Sequence, residues 1–394
     1  MSSQNSLANE NCKLFNNSDV PNISQSKVYS FEKKTLVCTE ELKTGSTVND
    51  YTIIRSHINE AKSVEVLASS HGYHLINDTI DCNKTHCEHI NFIDLHDFNS
   101  IQKVQTKEQS FKGDFLIQQL VDKIDSSLWL ADIVTLSSWS RSSGSTDNNN
   151  AMAWIKNKML ALNLQVTTPA FNTTHNIIGI QLGLDRLDDW YIVGAHMDSR
   201  PFSGSAPGAV DNASGCAGVL EIARIASEYS FEGSIIFICY SGEEQGLLGS
   251  INHVNTIIND GDQSKVKAAL TMDMVGYTSN SNQHELLLES SSTNQWLIDL
   301  MALNAATYAP NLTIFTSTNP FGSDHVPYIN NNMPGILSID DNWDIYPDYH
   351  QSTDLPENIN LTQGEYILKT NLSSLAQLAT LKGLADLIFT NGFE

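Results

Sequence analysis

The stretch Ser234-Ile235-Ile236-Phe237-Ile238-Cys239-Tyr240 runs straight into Ser241-Gly242-Glu243-Glu244-Gln245-Gly246-Leu247. The first seven residues are a near-continuous apolar run, the mark of a strand buried on both faces. Such strands sit inside parallel sheets covered by helices on each side. Upstream, Asn176 to Ile180 and Trp190 to Gly194 read as strands, and Ser214 to Ala226 reads as a helix. Downstream come a helix near Leu247 to Val254, a strand at Ala268 to Met272, a helix at Gln295 to Tyr308 and a strand at Gly335 to Ile339. A last helix is expected over Gly364 to Ile388, and earlier helices over Phe115 to Ile124 and Ala151 to Leu162. This alternation predicts a three-layer α/β/α sandwich with a mixed, mainly parallel sheet.

Ligands of such sheets sit beyond the C-terminal ends of the strands, so the residues that follow each strand carry the functional information. His196-Met197-Asp198 follows one strand, Glu243-Glu244 another and Asp273-Met274 a third. Gly208-Ala209-Val210-Asp211-Asn212-Ala213-Ser214-Gly215 leads into a helix, and His350 to Asp354 precedes the last one. Each group alone has an ordinary reading. An Asp-Asn-Ala-Ser-Gly run before a helix is first a capping signal, and paired acids at a helix start suit its dipole. Together, Asp211, Glu243, Glu244 and Asp273 would repel one another strongly without cations. Two divalent metals resolve the conflict, and imidazole with carboxylate suits zinc. The expected assignment places His350 and Glu244 on one zinc, His196 and Asp273 on the other, and Asp211 between them. Asp198 is expected to accept the second ring N–H of His196. Glu243 is expected to be the general base acting on a water held between the ions.

In this order, the groups, with Gly322-Ser323-Asp324-His325 and the late His350, resemble the bacterial leucyl aminopeptidase type of co-catalytic dizinc exopeptidases. The resemblance covers about residues 112 to 390. It implies the same two-Zn2+ assignment, peptide substrates with a free N-terminus, and a preference for hydrophobic, leucine-like terminal residues. Members of that group use a tyrosine near the Gly-Ser-Asp-His loop to steady the tetrahedral intermediate. Here Asn319-Pro320-Phe321 precedes Gly322, and Tyr328 and Tyr346 are the nearby phenols. Three rivals share part of this pattern: a related zinc exopeptidase with an inserted lid, a glutaminyl cyclase-like enzyme, and a metal-free binding protein on the same fold. Only 77 residues separate Asp273 from His350, too few for a lid domain beside the expected sheet elements. The complete ligand set and Glu243 favour two metals and hydrolysis over the other two.

The remaining sequence bounds the setting. The chain has 394 residues, enough for about two units. Residues 1 to 110 differ in composition and lie outside the resemblance. They are expected to be an N-terminal extension, an appended domain or a propeptide, ahead of a catalytic domain at 111 to 394. A helix is expected at Ile58 to Ala68 and a linker at Val104 to Ser110. The net charge of -23 argues against nucleic-acid partners. No apolar run is long enough to span a membrane. Four of six cysteines, Cys12, Cys38, Cys82 and Cys87, fall in the first quarter, as two disulfides or as free thiols. Cys216 and Cys239 read as core residues. The expected location is secreted or periplasmic, although Met1 to Asn5 opens no signal peptide. His253, His284 and His325 read as structural, and His86 and His89 beside Cys87 lack a matching pair for a further metal site. The oligomeric state is left open.

Overall fold

The structure is a computed structural model. It describes residues 11–16, 27–30, 34–39, 52–56, 66–71, 73–76, 91–93, 98–99, 101–104 and 113–385. The chain divides into two compact units, Met1–Gln102 with Trp343–Ile345, and Lys103–Asn342 with Tyr346–Glu394. The first unit holds two small antiparallel sheets. Asn11–Asn16, Lys34–Thr39 and Lys27–Ser30 form one. Val66–Ser70, Tyr73–Ile76, Thr52–Arg55 and Asn91–Ile93 form the other. Residues 66–68, the end of the expected helix, are thus part of a strand, Val66–Ser70; residues 57 to 65 lie outside the described residues. The expected linker does too, beyond Val104.

The larger unit is built on a nine-stranded sheet. Eight of its strands are β1 (Gln165–Thr167), β2 (Ile177–Gln181), β3 (Arg186–His196), β4 (Gly233–Tyr240), β5 (Val266–Asp273), β6 (His284–Glu289), β7 (Leu312–Ser317) and β8 (Gly335–Asp340). From one edge the order is Gln102–Lys103, β7, β6, β8, β5, β3, β4, β2, β1. The centre is parallel: β3 pairs that way with β4 and β5, and β5 with β8. β2 joins β4, β1 joins β2, and β6 joins β8 in antiparallel fashion. The sheet is mixed and mainly parallel at its centre, as expected. All eight residues of β4 are buried, because helices cover both of its faces.

One face carries the larger core under α1 (Phe115–Val121), α2 (Ser126–Ser137), α3 (Thr146–Ala161), α4 (Ser214–Ala226), α6 (Gln295–Tyr308) and α8 (Leu361–Leu378). The other carries a smaller cluster under α5 (Leu248–Asp260) and α7 (Val326–Asn330). Side chains place the helix starts: Asp114, Asp125, Ser145 and Asn360 each accept backbone N–H groups of the first turn of α1, α2, α3 and α8. Helix α8 passes close over α2. A Cβ at Gly364 would lie 2.0 Å from the Trp129 ring, so only glycine permits that approach. Trp129 is fully buried, and its indole N–H donates to the Ser214 carbonyl at 2.9 Å. This fixes the start of α4, the helix that follows Asp211.

The last helix ends at Leu378, ten residues before the expected Ile388. Thr380 takes a left-handed φ of 58°, and Leu381–Leu384 turns back as a strand paired with Tyr229–Phe231. Cys216 and Cys239 are core residues, both fully buried, and they are joined as a disulfide that ties α4 to β4. In the small sheet Cys12 lies opposite Cys38 in register. Cys82, His86, Cys87 and His89 lie outside the described residues.

Candidate active site

Register brings the first residues together. Gly194 of β3 pairs with Thr271 of β5, so His196 and Asp273, each two residues on, leave the sheet at the same level. His196 also pairs with Tyr240, the last residue of β4. The chain then turns at Gly242, whose φ is 78°, and presents Glu243 and Glu244. Asp211 arrives from the loop ahead of α4, and His350 from the loop between β8 and α8. His196, Asp211, Glu244, Asp273 and His350 are all buried, with exposures of 1 to 8%. Glu243 is partly exposed. Glu243 is the more accessible of the two, yet its carboxylate feels the charges of His196, Glu244 and Asp273.

The distances divide the cluster into two halves that share one carboxylate. His196 Nε2 lies 3.2 Å from Asp273 Oδ1 and 3.4 Å from Asp211 Oδ1. His350 Nε2 lies 3.0 Å from Glu244 Oε2 and 3.2 Å from Asp211 Oδ2. The two oxygens of Asp211 thus face different imidazoles. His196 Nδ1 lies 3.2 Å from the Asp198 backbone carbonyl, which can only accept. That contact places the proton of a neutral ring on Nδ1, so Nε2 offers a lone pair to carboxylate oxygens that are also lone-pair donors. Glu244 Oε1 is buried with no hydrogen-bond partner among the described residues. A donor set of this kind closes around cations. Ligand atoms of His196, Asp211 and Glu244 already lie within 4.8 Å of one another.

The electrostatics agree. Desolvation raises Glu243 well above the usual carboxylate range, against the pull of His196, and Glu244 and Asp273 push the same way. Desolvation and the Asp211 charge also raise Glu244, against His350. Burial opposes protonation of His196, yet Asp273, Glu243 and Asp211 raise it well above an ordinary imidazole. Burial and like-charge crowding thus favour the protonated forms of Glu243 and Glu244. Divalent cations would offset that crowding without neutralising the ligands.

Supporting residues hold this arrangement. The Asp198 carboxylate accepts the backbone N–H groups of Glu243 and Glu244 at 3.2 and 3.3 Å. It lies 3.8 Å from His196 Nδ1, so the ring is oriented by the Asp198 main chain rather than by the expected carboxylate contact. Ser323 Oγ donates to Asp273 Oδ2 at 2.9 Å. Asp354 accepts the N–H groups of Val210 and Asp211 at 2.9 and 3.0 Å and the Tyr346 hydroxyl at 2.8 Å. Asp354 and Arg141 are the residues the sequence reading missed. Asp354 stands in the His350 loop and gave a weak signal. Arg141 gave none. Tyr328 bonds to Tyr240 and His253 inside the smaller core cluster, so both nearby phenols are engaged elsewhere. His325 is buried 3.5 Å from Glu289, and His284 packs edge-on against Tyr366.

Arg141 is fully buried. It donates to the carbonyls of Leu136, Met197, Pro207 and Gly208 at 2.6 to 2.8 Å. It thereby locks the His196–Asp198 segment to the loop that delivers Asp211. Burial lowers the guanidinium to about 10, with Asp354, Asp198 and Asp211 pulling it back up, so it stays charged at neutral pH. Arg141→Met is expected to lower the unfolding free energy by on the order of 3–5 kcal/mol, because it strips donors from buried carbonyls and removes a counter-charge. Denaturant unfolding measures this, and a loss below about 1 kcal/mol would show that those carbonyls find other partners.

Comparison with known proteins follows the same residues. The profile of peptidase family M28 matches residues 176–374. A probable zinc metalloprotease of Pyrenophora tritici-repentis is 36% identical over 168 residues, 41% of this chain and 36% of the relative. A probable leucine aminopeptidase of Arthroderma otae is 32% identical over 204 residues, 49% of this chain and 54% of the relative. The chain therefore spans about half or less of the length of these curated relatives. Among solved structures, the Legionella pneumophila LapA aminopeptidase superposes with a TM-score of 0.62 at 20% identity, covering 84% of this chain and 99% of that one. That likeness is one of fold.

Proposed function

Because the chain belongs to peptidase family M28, we propose that it is a two-zinc aminopeptidase that removes single, hydrophobic residues from peptides with a free N-terminus. The observation that carries this is Asp211, whose two oxygens face two separate histidine–carboxylate pairs. His196 and Asp273 would hold one ion, His350 and Glu244 the other, and Asp211 both. When bound, the zinc ions would polarise the scissile carbonyl and lower the pKa of the attacking water.

The chain's own residues do the rest. Glu243 stands beside the cluster but outside both ligand groups. It takes the proton from the attacking water and hands it to the leaving amine. Asp198 holds Glu243 and Glu244 by their backbone N–H groups, so base and ligand keep a fixed separation. Phe202 is 49% exposed, and its ring lies 5.3 Å edge-on from His350. It offers an apolar wall beside the site, which supports a hydrophobic terminal side chain.

Two broader assignments accompany this reading. Residues 1 to 110 form an extension, appended or propeptide, to a catalytic unit at 111 to 394. The location is secreted or periplasmic, supported by the Cys216–Cys239 disulfide, since such bonds persist in oxidising compartments. Among the described residues no helix is long and apolar enough to cross a membrane.

A panel of aminoacyl chromogenic substrates tests the reaction class. Leucyl and phenylalanyl derivatives are expected to turn over, and their N-acetylated forms to be inert. Equal cleavage of the acetylated forms would exclude an aminopeptidase. Cyclisation of N-terminal glutamine without hydrolysis would favour the glutaminyl cyclase reading. Run on residues 111 to 394 alone, the same assay tests the extension, and equal folding and turnover would exclude a role in either.

A further inference from the structure

Helix α5 covers its sheet face incompletely, and a cavity of about 390 Å³ lies between the helix and β1 to β4. Ile178, Ile180, Trp190, Ile236 and Ile257 supply its apolar walls. None of the residues of the acidic cluster lines it. His253, on α5, supplies a polar atom to the wall. This residue is only 8% exposed. Its Nδ1 lies 2.7 Å from the Tyr328 hydroxyl, which lies 2.6 Å from the Tyr240 hydroxyl, so the ring is held in place. Nε2 has no hydrogen-bond partner among the described residues and is the ring atom left for the cavity. Nε2 is open to the cavity rather than sealed in the core, so a ligand there can replace the ring's bond to water with one of its own. Burial pushes the imidazole down to about 4. It is uncharged at neutral pH and offers one donor or one acceptor, according to tautomer. Asp260 and Asp262 stand at the lining, with Asp262 3.0 Å from Lys265. No ion pair involves Asp260 among the described residues, so anions are disfavoured.

We propose that this cavity is a second ligand site for a neutral, apolar small molecule carrying one hydroxyl or carbonyl group that bonds to His253 Nε2. Its size falls within the ordinary range for small-molecule pockets, roughly 300–1,000 Å³. The site is independent of the peptidase reading, since it shares no residue with the cluster.

The probe is 2-phenylethanol, titrated into the zinc-loaded full chain and followed by ligand-observed NMR. Saturable binding at one site is expected, with phenylacetate weaker by about tenfold or more because of its charge. Thr256→Trp places bulk at the cavity lining from the exposed side of α5. It should abolish binding and leave peptide hydrolysis unchanged. His253→Phe should weaken 2-phenylethanol about fivefold, the worth of one hydrogen bond, and leave ethylbenzene unaffected. Unaltered binding to Thr256→Trp would overturn the proposal. So would equal binding of phenylacetate, or displacement of the probe by leucine hydroxamate, which chelates metal ions.

Discussion

Glu243→Gln is expected to keep its metal and lose peptide hydrolysis by on the order of 10²–10⁴-fold, the usual worth of a positioned general base. The substitution is isosteric, and the backbone of residue 243 is held by Asp198 through a 3.2 Å hydrogen bond that any side chain permits. Glu243 belongs to neither of the two histidine–carboxylate groups, and it is partly exposed where Glu244 is buried. Metal content and fold should therefore match the parent chain. An amide cannot accept the proton of the attacking water at neutral pH, nor deliver one to the leaving amine. The split between intact metal binding and lost kcat is what distinguishes a base from a ligand. A variant that lost metal as well would move Glu243 into the ligand set. One that kept its turnover would end its role as base.

Asp211→Asn should do the opposite and empty the cluster. Its two oxygens serve both halves, at 3.4 Å from His196 and 3.2 Å from His350. An amide is a poorer and uncharged ligand, so both halves lose a negative charge at once. Groups that merely orient a ligand change metal affinity about 10–100-fold; if Asp211 is shared by two ions as proposed, its loss should exceed that. Metal per chain after dialysis is expected to fall from two to one or none, with hydrolysis at background. Asp354→Asn is the graded control, since Asp354 reaches the cluster only through the N–H groups of Val210 and Asp211. A full metal complement in Asp211→Asn would remove the bridging role.

The residues gathered at the candidate site were legible because most follow strands whose apolar runs are unmistakable. His196, Glu243, Glu244 and Asp273 each close or follow a buried central strand, and parallel register then carries them to one edge. Asp211 and His350 were legible through charge, since the acids had to be reconciled with one another and with a late histidine. The residues that fix them were not. Arg141 acts through backbone carbonyls, one of them five residues away and the others in two distant segments, and no local pattern marks such a residue. The end of α8 was hidden for a similar reason. Its sequence continues in helix-forming residues, and only pairing with Tyr229–Phe231 draws the chain out as a strand. β6, with His284 and Glu285 ahead of three leucines, lacks the alternation that would announce a strand. The Cys216–Cys239 bond joins residues that read as ordinary core positions, because burial and pairing leave the same trace in a sequence.

The most direct test is anomalous diffraction at the zinc edge from crystals of the zinc-loaded chain. Two peaks about 3.5–4 Å apart are predicted, one bounded by His196, Asp273 and Asp211, the other by His350, Glu244 and Asp211. A single peak, or peaks that leave Asp211 on one ion only, would contradict the account.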